Sequence, residues 1–275
     1  MTARIVCIVG ELIFIGIGLY DEFGLSLRGQ AEARGCDRVF AEFYTSVMPG
    51  LRIERLSETI GKPVDILSRI DVEEDAENKI LSKAKTERIA FLVAGDPMVA
   101  TTHVDLRLRA HRAGIRTRII HGASVASAAT GATGLQSYKF GRTITVPVLV
   151  GDAPPESIYA GLRVNMEAGL HSLLLLEVDV ENKRYVTIPQ ALEGLLSLAA
   201  RTTNSVVKPG TLVVGMARLE APDMIVHAAT VSELMQVDFG KPPYCLIFPT
   251  ALHFVEAEAL QVFCGARKDL VIQKP

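Results

Sequence analysis

The sequence predicts an α/β protein built as two lobes, and three observations lead there. Short apolar runs of strand length alternate with longer segments of helical spacing. In the first half those runs are apolar nearly throughout, as expected of a parallel sheet covered by helices on both faces. The chain has 275 residues, more than one hydrophobic core usually serves.

The elements follow in order. Strands are expected at Leu12–Ile17, Arg38–Glu42, Val64–Leu67, Ile89–Val93 and Arg116–Ile120. Helical segments with charged faces lie between them, at Ser26–Arg34, Leu51–Ile60, Val72–Lys85 and Met98–Ala113. The second half has a different rhythm. Strands are expected at Thr143–Val146, His171–Val178, Arg184–Thr187, Thr211–Ala217, Met224–Ala228 and Cys245–Phe248, with helices at Glu156–Ala168, Pro189–Arg201, Val231–Gln236 and Leu252–Phe263. Arg184–Thr187 and Met224–Ala228 follow their predecessors without a helix, which predicts hairpins and a mixed sheet. The small-residue stretch from Gly122 to Ala129 opens a helix joining the lobes, and the loop from Gly151 to Pro155 belongs to the second lobe. The resulting division is a leader over residues 1–11, an N-terminal lobe over 12–122 and a C-terminal lobe over 123–275.

Composition narrows the function classes. Hydrophobic residues make up 49% and charged residues 22%, with a formal net charge of -2, which suits a cytoplasmic globular protein. No basic footprint for nucleic acid and no polybasic membrane anchor is present. Without tryptophan and with few aromatics, a base-stacking platform is not expected either. The apolar run from Ile5 to Tyr20 is shorter than a bilayer span and carries Glu11. Cys7, Cys36, Cys245 and Cys264 match no metal or redox spacing, so they read as reduced thiols and no metal is expected.

Two glycine turns can carry chemistry. Gly16-Ile17-Gly18 ends the first strand but lacks the third glycine of a dinucleotide fingerprint, so close packing explains it as well as a ligand does. Gly95-Asp96-Pro97 follows the buried strand Ile89–Val93. Gly95 permits a tight turn, Asp96 can cap a helix and Pro97 suits its first position. The same turn lies where open α/β sheets bind ligands, and an aspartate there can pair with the ammonium of an amino-acid-like cofactor. Thr101, Thr102 and His103 fall one turn into the same expected helix. Arg107, Arg109, Arg112, Arg116 and Arg118 form a basic segment, read as a solvated face or a dock for an acidic partner. The acidic run Asp71, Glu73, Glu74 and Asp75 reads as a helix start. No nucleophile elbow, P-loop or nucleophile–base pair is legible, so no catalytic residue is assigned.

These segments together resemble one family. Leu12–Glu22 and Val39–Ser46, then Gly95–His103 and Gly134–Gly141, then Asp238–Pro243 and Leu252–Glu258, are similar in content and order to the diphthine synthases. The resemblance runs from Leu12 to the C-terminus. It implies a tetrapyrrole-methylase fold, with a mostly parallel N-terminal sheet, a mixed C-terminal sheet and S-adenosylmethionine in the cleft between the lobes of a homodimer. It also implies the reaction: N-methylation of a 3-amino-3-carboxypropyl group on a histidine of translation elongation factor 2, leaving S-adenosylhomocysteine. Carried over by position, the cofactor contacts fall at Leu19, Asp96, Val99, Ser124, Val125, Leu176, Leu219 and Tyr244. Tyr244 departs from the family's usual histidine after Pro-Pro. Two alternatives share the same elements: a precorrin-type C-methyltransferase, and a non-catalytic module docking through Arg107–Arg118.

Overall fold

The computed structural model, described for residues 10–148, 155–180, 182–203 and 205–271, is an α/β protein that divides into two compact units, Met1–Ser124 and Val125–Pro275. Of the loop expected from Gly151 to Pro155 only Pro155 is among the described residues, and of the leader only Gly10 and Glu11.

In the first unit the strands are β1 (Glu11–Gly16), β2 (Arg38–Glu42), β3 (Asp65–Ile66), β4 (Arg88–Val93) and β5 (Arg116–Ile120). They form one sheet in the order β3-β2-β4-β1-β5, with every pairing parallel. Side chains alternate across it and both faces are dry. Leu12, Phe14, Phe40, Ile89 and Phe91 face one way, while Ile13, Ile15, Val39, Ala41, Ala90 and Leu92 face the other. That double burial is why β1 and β4 read as continuous apolar runs. The second face is covered by α1 (Leu27–Gly35) through Ala33 and by α2 (Ile53–Ile60) through Leu56 and Ile60. The first face meets α3 (Arg69–Glu73), the π-helical turn Glu77–Leu81, α4 (Ser82–Ala84) and α5 (His103–Arg112).

Local chemistry shifts several expected boundaries. Ser68 and Asp71 form a capping box, so α3 starts at Arg69, ahead of the expected Val72, with Asp71 in its first turn. The single helix expected to run on to Lys85 breaks after Glu73, where Asp75 turns to accept from the Asn78 amide. Glu11 belongs to β1 rather than to a leader. It is buried and meets Arg88, Arg116 and Arg118. Arg118 also pairs with Glu32, and Arg109 donates to the Glu73 carbonyl, so the basic segment is partly spent on internal contacts.

The second unit begins with α6 (Val125–Thr133). Its strands are β6 (Ile144–Val146), β7 (Ser172–Leu176), β8 (Val178–Asp179), β9 (Arg184–Tyr185), β10 (Leu212–Ala217), β11 (Ile225–Thr230) and β12 (Tyr244–Phe248). Five of them form a mixed sheet in the order β11-β10-β12-β7-β6, in which only the β6–β7 pairing is parallel. β8 and β9 make a separate hairpin. One face packs against α7 (Glu156–Glu167), α8 (Ile188–Ala200) and α9 (Val231–Leu234) through Leu162, Leu192, Leu195 and Leu234. Capping boxes start α8 at Thr187 and α9 at Thr230. α10 (Phe254–Cys264) lies against β11, and α11 (Lys268–Val271) follows it.

Cys36, Cys245 and Cys264 are buried free thiols. Burial pushes them up, to about 11 for Cys36 and about 12 for the other two, so they act as packing groups. Among the described residues no helix is long and apolar enough to cross a membrane.

Candidate functional site

Three parallel strands of the first unit end side by side. Ile15 pairs with both Leu92 and Ile120, so the segments after Gly16, Val93 and Ile120 leave the sheet together. They then bind each other through backbone: Gly95 donates to the Gly18 carbonyl at 2.7 Å. The approach is too close for side chains. A Cβ on Gly16 would sit 2.5 Å from both the Gly95 oxygen and the Gly122 nitrogen, and one on Gly122 would sit 2.5 Å from the Gly95 oxygen. The glycine pair after β1 therefore serves packing first. The result is a close-packed backbone junction at the carboxyl edge, where parallel sheets bind ligands.

Asp96 stands at this edge, buried to 5% exposure. It does not cap a helix, contrary to the sequence expectation: α5 starts only at His103, with Thr102 at its cap. The reason is local. The Thr101 hydroxyl donates to the Pro97 carbonyl at 2.7 Å, and Ala100 adopts φ +57. Met98–Thr102 is consequently a tight loop, and Asp96 accepts from the Met98 N–H at 2.9 Å. Its other oxygen meets His121 Nδ1 at 2.7 Å. The sequence reading missed His121, although its place directly after β5, on the same edge, was a usable signal.

Of the other expected contacts in this unit, Leu19 is half-buried, Val99 is exposed on the Asp96 loop and Ser124 is buried after Gly122-Ala123. The Leu19 side chain approaches Gly95. Val125 is the first residue of α6 and opens the second unit.

The second unit gathers its expected residues at one sheet edge. Tyr244 opens β12 and pairs with Ala217, the last residue of β10, so Leu219 lies just beyond it. Cys245 pairs with Leu175, which sets Leu176 beside Tyr244 at the end of β7. Arg218, unnoticed in the sequence, organises this edge. Its buried guanidinium donates to the Phe239, Lys241 and Asp223 carbonyls and to the Asp223 carboxylate. That fixes the turn leading through the cis Pro242-Pro243 bond into Tyr244. Tyr244 donates to the Gly240 carbonyl, and burial pushes its phenol up, against the nearby Arg218 charge.

Each unit also buries a glutamate–histidine pair. In the first, His103 Nε2 lies 3.5 Å from Glu42 Oε1, both side chains 0% exposed. In the second, His171 Nε2 lies 3.0 Å from Glu256 Oε1. Glu256 also accepts from the Gln136 and His253 backbone N–H groups and from Lys139. Burial alone would raise it, but these donors bring it down to about 2. Glu42 receives the Thr45 N–H and hydroxyl and a Tyr44 backbone contact, and burial still carries it up to about 7. Burial lowers His103 to about 4, against its hydrogen bond to the Pro97 carbonyl. Among the described residues no cluster of three His, Cys, Asp or Glu side chains could hold a metal ion.

Known proteins share this architecture. The sequence profile of the Tetrapyrrole (Corrin/Porphyrin) Methylases matches residues 11–234. A diphthine synthase of Methanocella arvoryzae is 45% identical over 93% of this chain and 99% of its own length. That of Methanothermobacter thermautotrophicus is 41% identical over 94% and 98%. A crystal structure of diphthine synthase superposes with a TM-score of 0.85 at 35% identity, covering 94% of this chain and 98% of the other.

Proposed function

Because the chain belongs to the tetrapyrrole methylases, in their diphthine synthase branch, we propose that it methylates the amine of a 3-amino-3-carboxypropyl histidine on elongation factor 2, in diphthamide biosynthesis. The methyl donor is S-adenosylmethionine, the partner is the factor itself, and the enzyme works in the cytoplasm as a homodimer. The observation that carries the reading is the Asp96 edge. Close-packed glycines draw the three strand ends together there, and a carboxylate with acceptor capacity to spare stands beside them.

The residues fit such a donor. Its cationic amino group matches the Asp96 carboxylate. Leu19, Val99 and Ser124, with Val125, Leu176, Leu219 and Tyr244 from the second unit, complete the set that we assign to it. When bound, S-adenosylmethionine supplies a methyl group on a sulfonium centre. The chain's own contribution is orientation and exclusion of water, worth up to about 7–11 kcal/mol in favourable systems. The neutral amine must present its lone pair to that methyl, and its proton can leave to bulk water. Exposed Phe254, Val262 and Phe263 on α10 supply apolar surface of the kind a homodimer covers.

The test is transfer of labelled methyl from S-adenosylmethionine to elongation factor 2 bearing the unmethylated intermediate, with intact mass read in parallel. Label is expected on the modified histidine, and its absence overturns the assignment. Asp96→Ala is expected to weaken donor binding roughly ten- to hundred-fold, the worth of a charge-assisted contact. Unchanged calorimetric binding would remove Asp96 from the site.

A further inference from the structure

The buried Glu42–His103 pair lies directly behind the Asp96 loop and has no part in the reaction outlined above. Glu42 ends β2, opposite Val93, and His103 opens α5 at the far end of the loop. His103 Nδ1 lies 3.3 Å from the Pro97 carbonyl oxygen, which can only accept, so this nitrogen carries the ring proton. Nε2 is then a bare lone pair aimed at Glu42 Oε1, and it makes no well-formed hydrogen bond among the described residues. A proton on Glu42 satisfies both groups at once. Without it, the carboxylate faces a lone pair across 3.5 Å. The ring then gains by moving its proton to Nε2, and a second lone pair turns on Pro97.

We propose that Glu42 and His103 are positioning residues for methyl-donor binding: one proton held between them decides whether His103 grips the Pro97 carbonyl and fixes the loop carrying Asp96 and Val99. The role in donor binding rests on the function assigned above; the proton linkage does not.

Few charged groups face this proton, and of them the Arg69 charge favours ionised Glu42. β4 brings the Phe91 ring, edge-on to His103 at 5.2 Å. The turn after β2 brings Tyr44, whose phenol burial holds neutral. From α3 come Arg69, stacked over Tyr44 at 5.3 Å, and Glu73, which accepts from the Thr102 hydroxyl. Asp96 itself is turned toward His121 and Met98. Losing the Pro97 contact loosens the loop without releasing it, since Thr101 still donates there.

The experiment has two arms on the full chain. In the first, NMR of the His103 ring without donor is followed from about pH 5 to about pH 9. The Nδ1–H form is expected at low pH, with a step near 7 as Glu42 ionises and no step in Glu42→Gln, whose amide donates to Nε2 at every pH. In the second, calorimetry measures S-adenosylmethionine affinity across the same range. Wild-type binding is expected to weaken roughly three- to ten-fold more than Glu42→Gln binding toward high pH, the worth of one hydrogen bond. Titration of the donor's own amine is common to both proteins and cancels. A wild-type ring without a step, or identical pH profiles in the two proteins, overturns the proposal. A step without any donor binding upholds the proton linkage and overturns the assigned function instead.

Discussion

The two buried glutamate–histidine pairs use the same side chains, yet their carboxyls are shifted in opposite directions from the ordinary value. His171 accepts at Nδ1 from the Thr250 N–H at 3.0 Å, so its Nε2 carries the proton and donates to Glu256. His103 does the reverse: its Nδ1 donates to Pro97, which leaves Nε2 bare toward Glu42. One backbone group on the far side of each ring, a donor in one unit and an acceptor in the other, sets the tautomer. The donors then set the charge. Two backbone N–H groups, the Lys139 ammonium and His171 stabilise the Glu256 carboxylate, whereas Glu42 has Thr45 and the Tyr44 backbone and no ammonium donor among the described residues. Burial does not by itself decide whether a carboxyl is ionised; the supply of donors does.

The comparison breaks most sharply at Glu256. Replacing it by Gln places an amide N–H against donors and leaves the Lys139 ammonium without its counter-charge. We expect a loss of about 3–5 kcal/mol in urea unfolding, the cost of orphaning one member of a buried pair. Because the Glu256 carboxyl sits at about 2, below its ordinary 4.5, its contribution is present above about pH 4.5 and is lost as pH falls toward 2. A variant within about 1 kcal/mol of wild type at neutral pH would show that the donors around Glu256 are satisfied elsewhere.

His171→Phe is milder. The ring keeps its edge-on contact with Phe140 at 5.3 Å, but the Thr250 N–H loses its acceptor and Glu256 loses one of four donors. About 2 kcal/mol is expected, read from the shift in urea midpoint at constant slope. No loss would mean that the imidazole fills space there and does not set the charge of Glu256.

How much of this was legible in the sequence follows from the range of each interaction. β1 and β4 were readable because burial on both faces leaves only apolar residues, and Gly95-Asp96-Pro97 because turn residues mark a strand's end. The start of α5 was not. Pro97 after Asp96 looks like a helix beginning, and only the Thr101 hydroxyl on the Pro97 carbonyl and the left-handed Ala100 delay it to His103. The family motifs contained Glu42, His103 and Glu256, yet nothing local in the sequence joins Glu42 to His103 or His171 to Glu256. Those pairings exist only once β2 lies beside β4 and α10 closes on its neighbours. Arg218 had no signal at all, since an arginine after a strand is ordinarily solvated.

Glu42→Gln carries the smallest expected effect and the most diagnostic sign. The Glu42 carboxyl is raised from 4.5 to about 7, so between those values the folded protein holds a proton that the unfolded chain has released. Stability contributed by Glu42 is therefore complete below about pH 4.5 and is lost as pH rises through about 7. Gln cannot titrate and keeps its contribution throughout. Wild type should lose about 1 kcal/mol relative to Glu42→Gln between about pH 6 and about pH 8, the linkage expected for a group titrating midway. His103, lowered from 6.5 to about 4, works in the opposite direction: it costs stability as pH falls through that window. It is present in both proteins, so its effect cancels in the difference. Urea unfolding of both at the two pH values checks the prediction. A pH-independent difference would mean that Glu42 is ionised throughout, and the two buried pairs would then differ in tautomer alone.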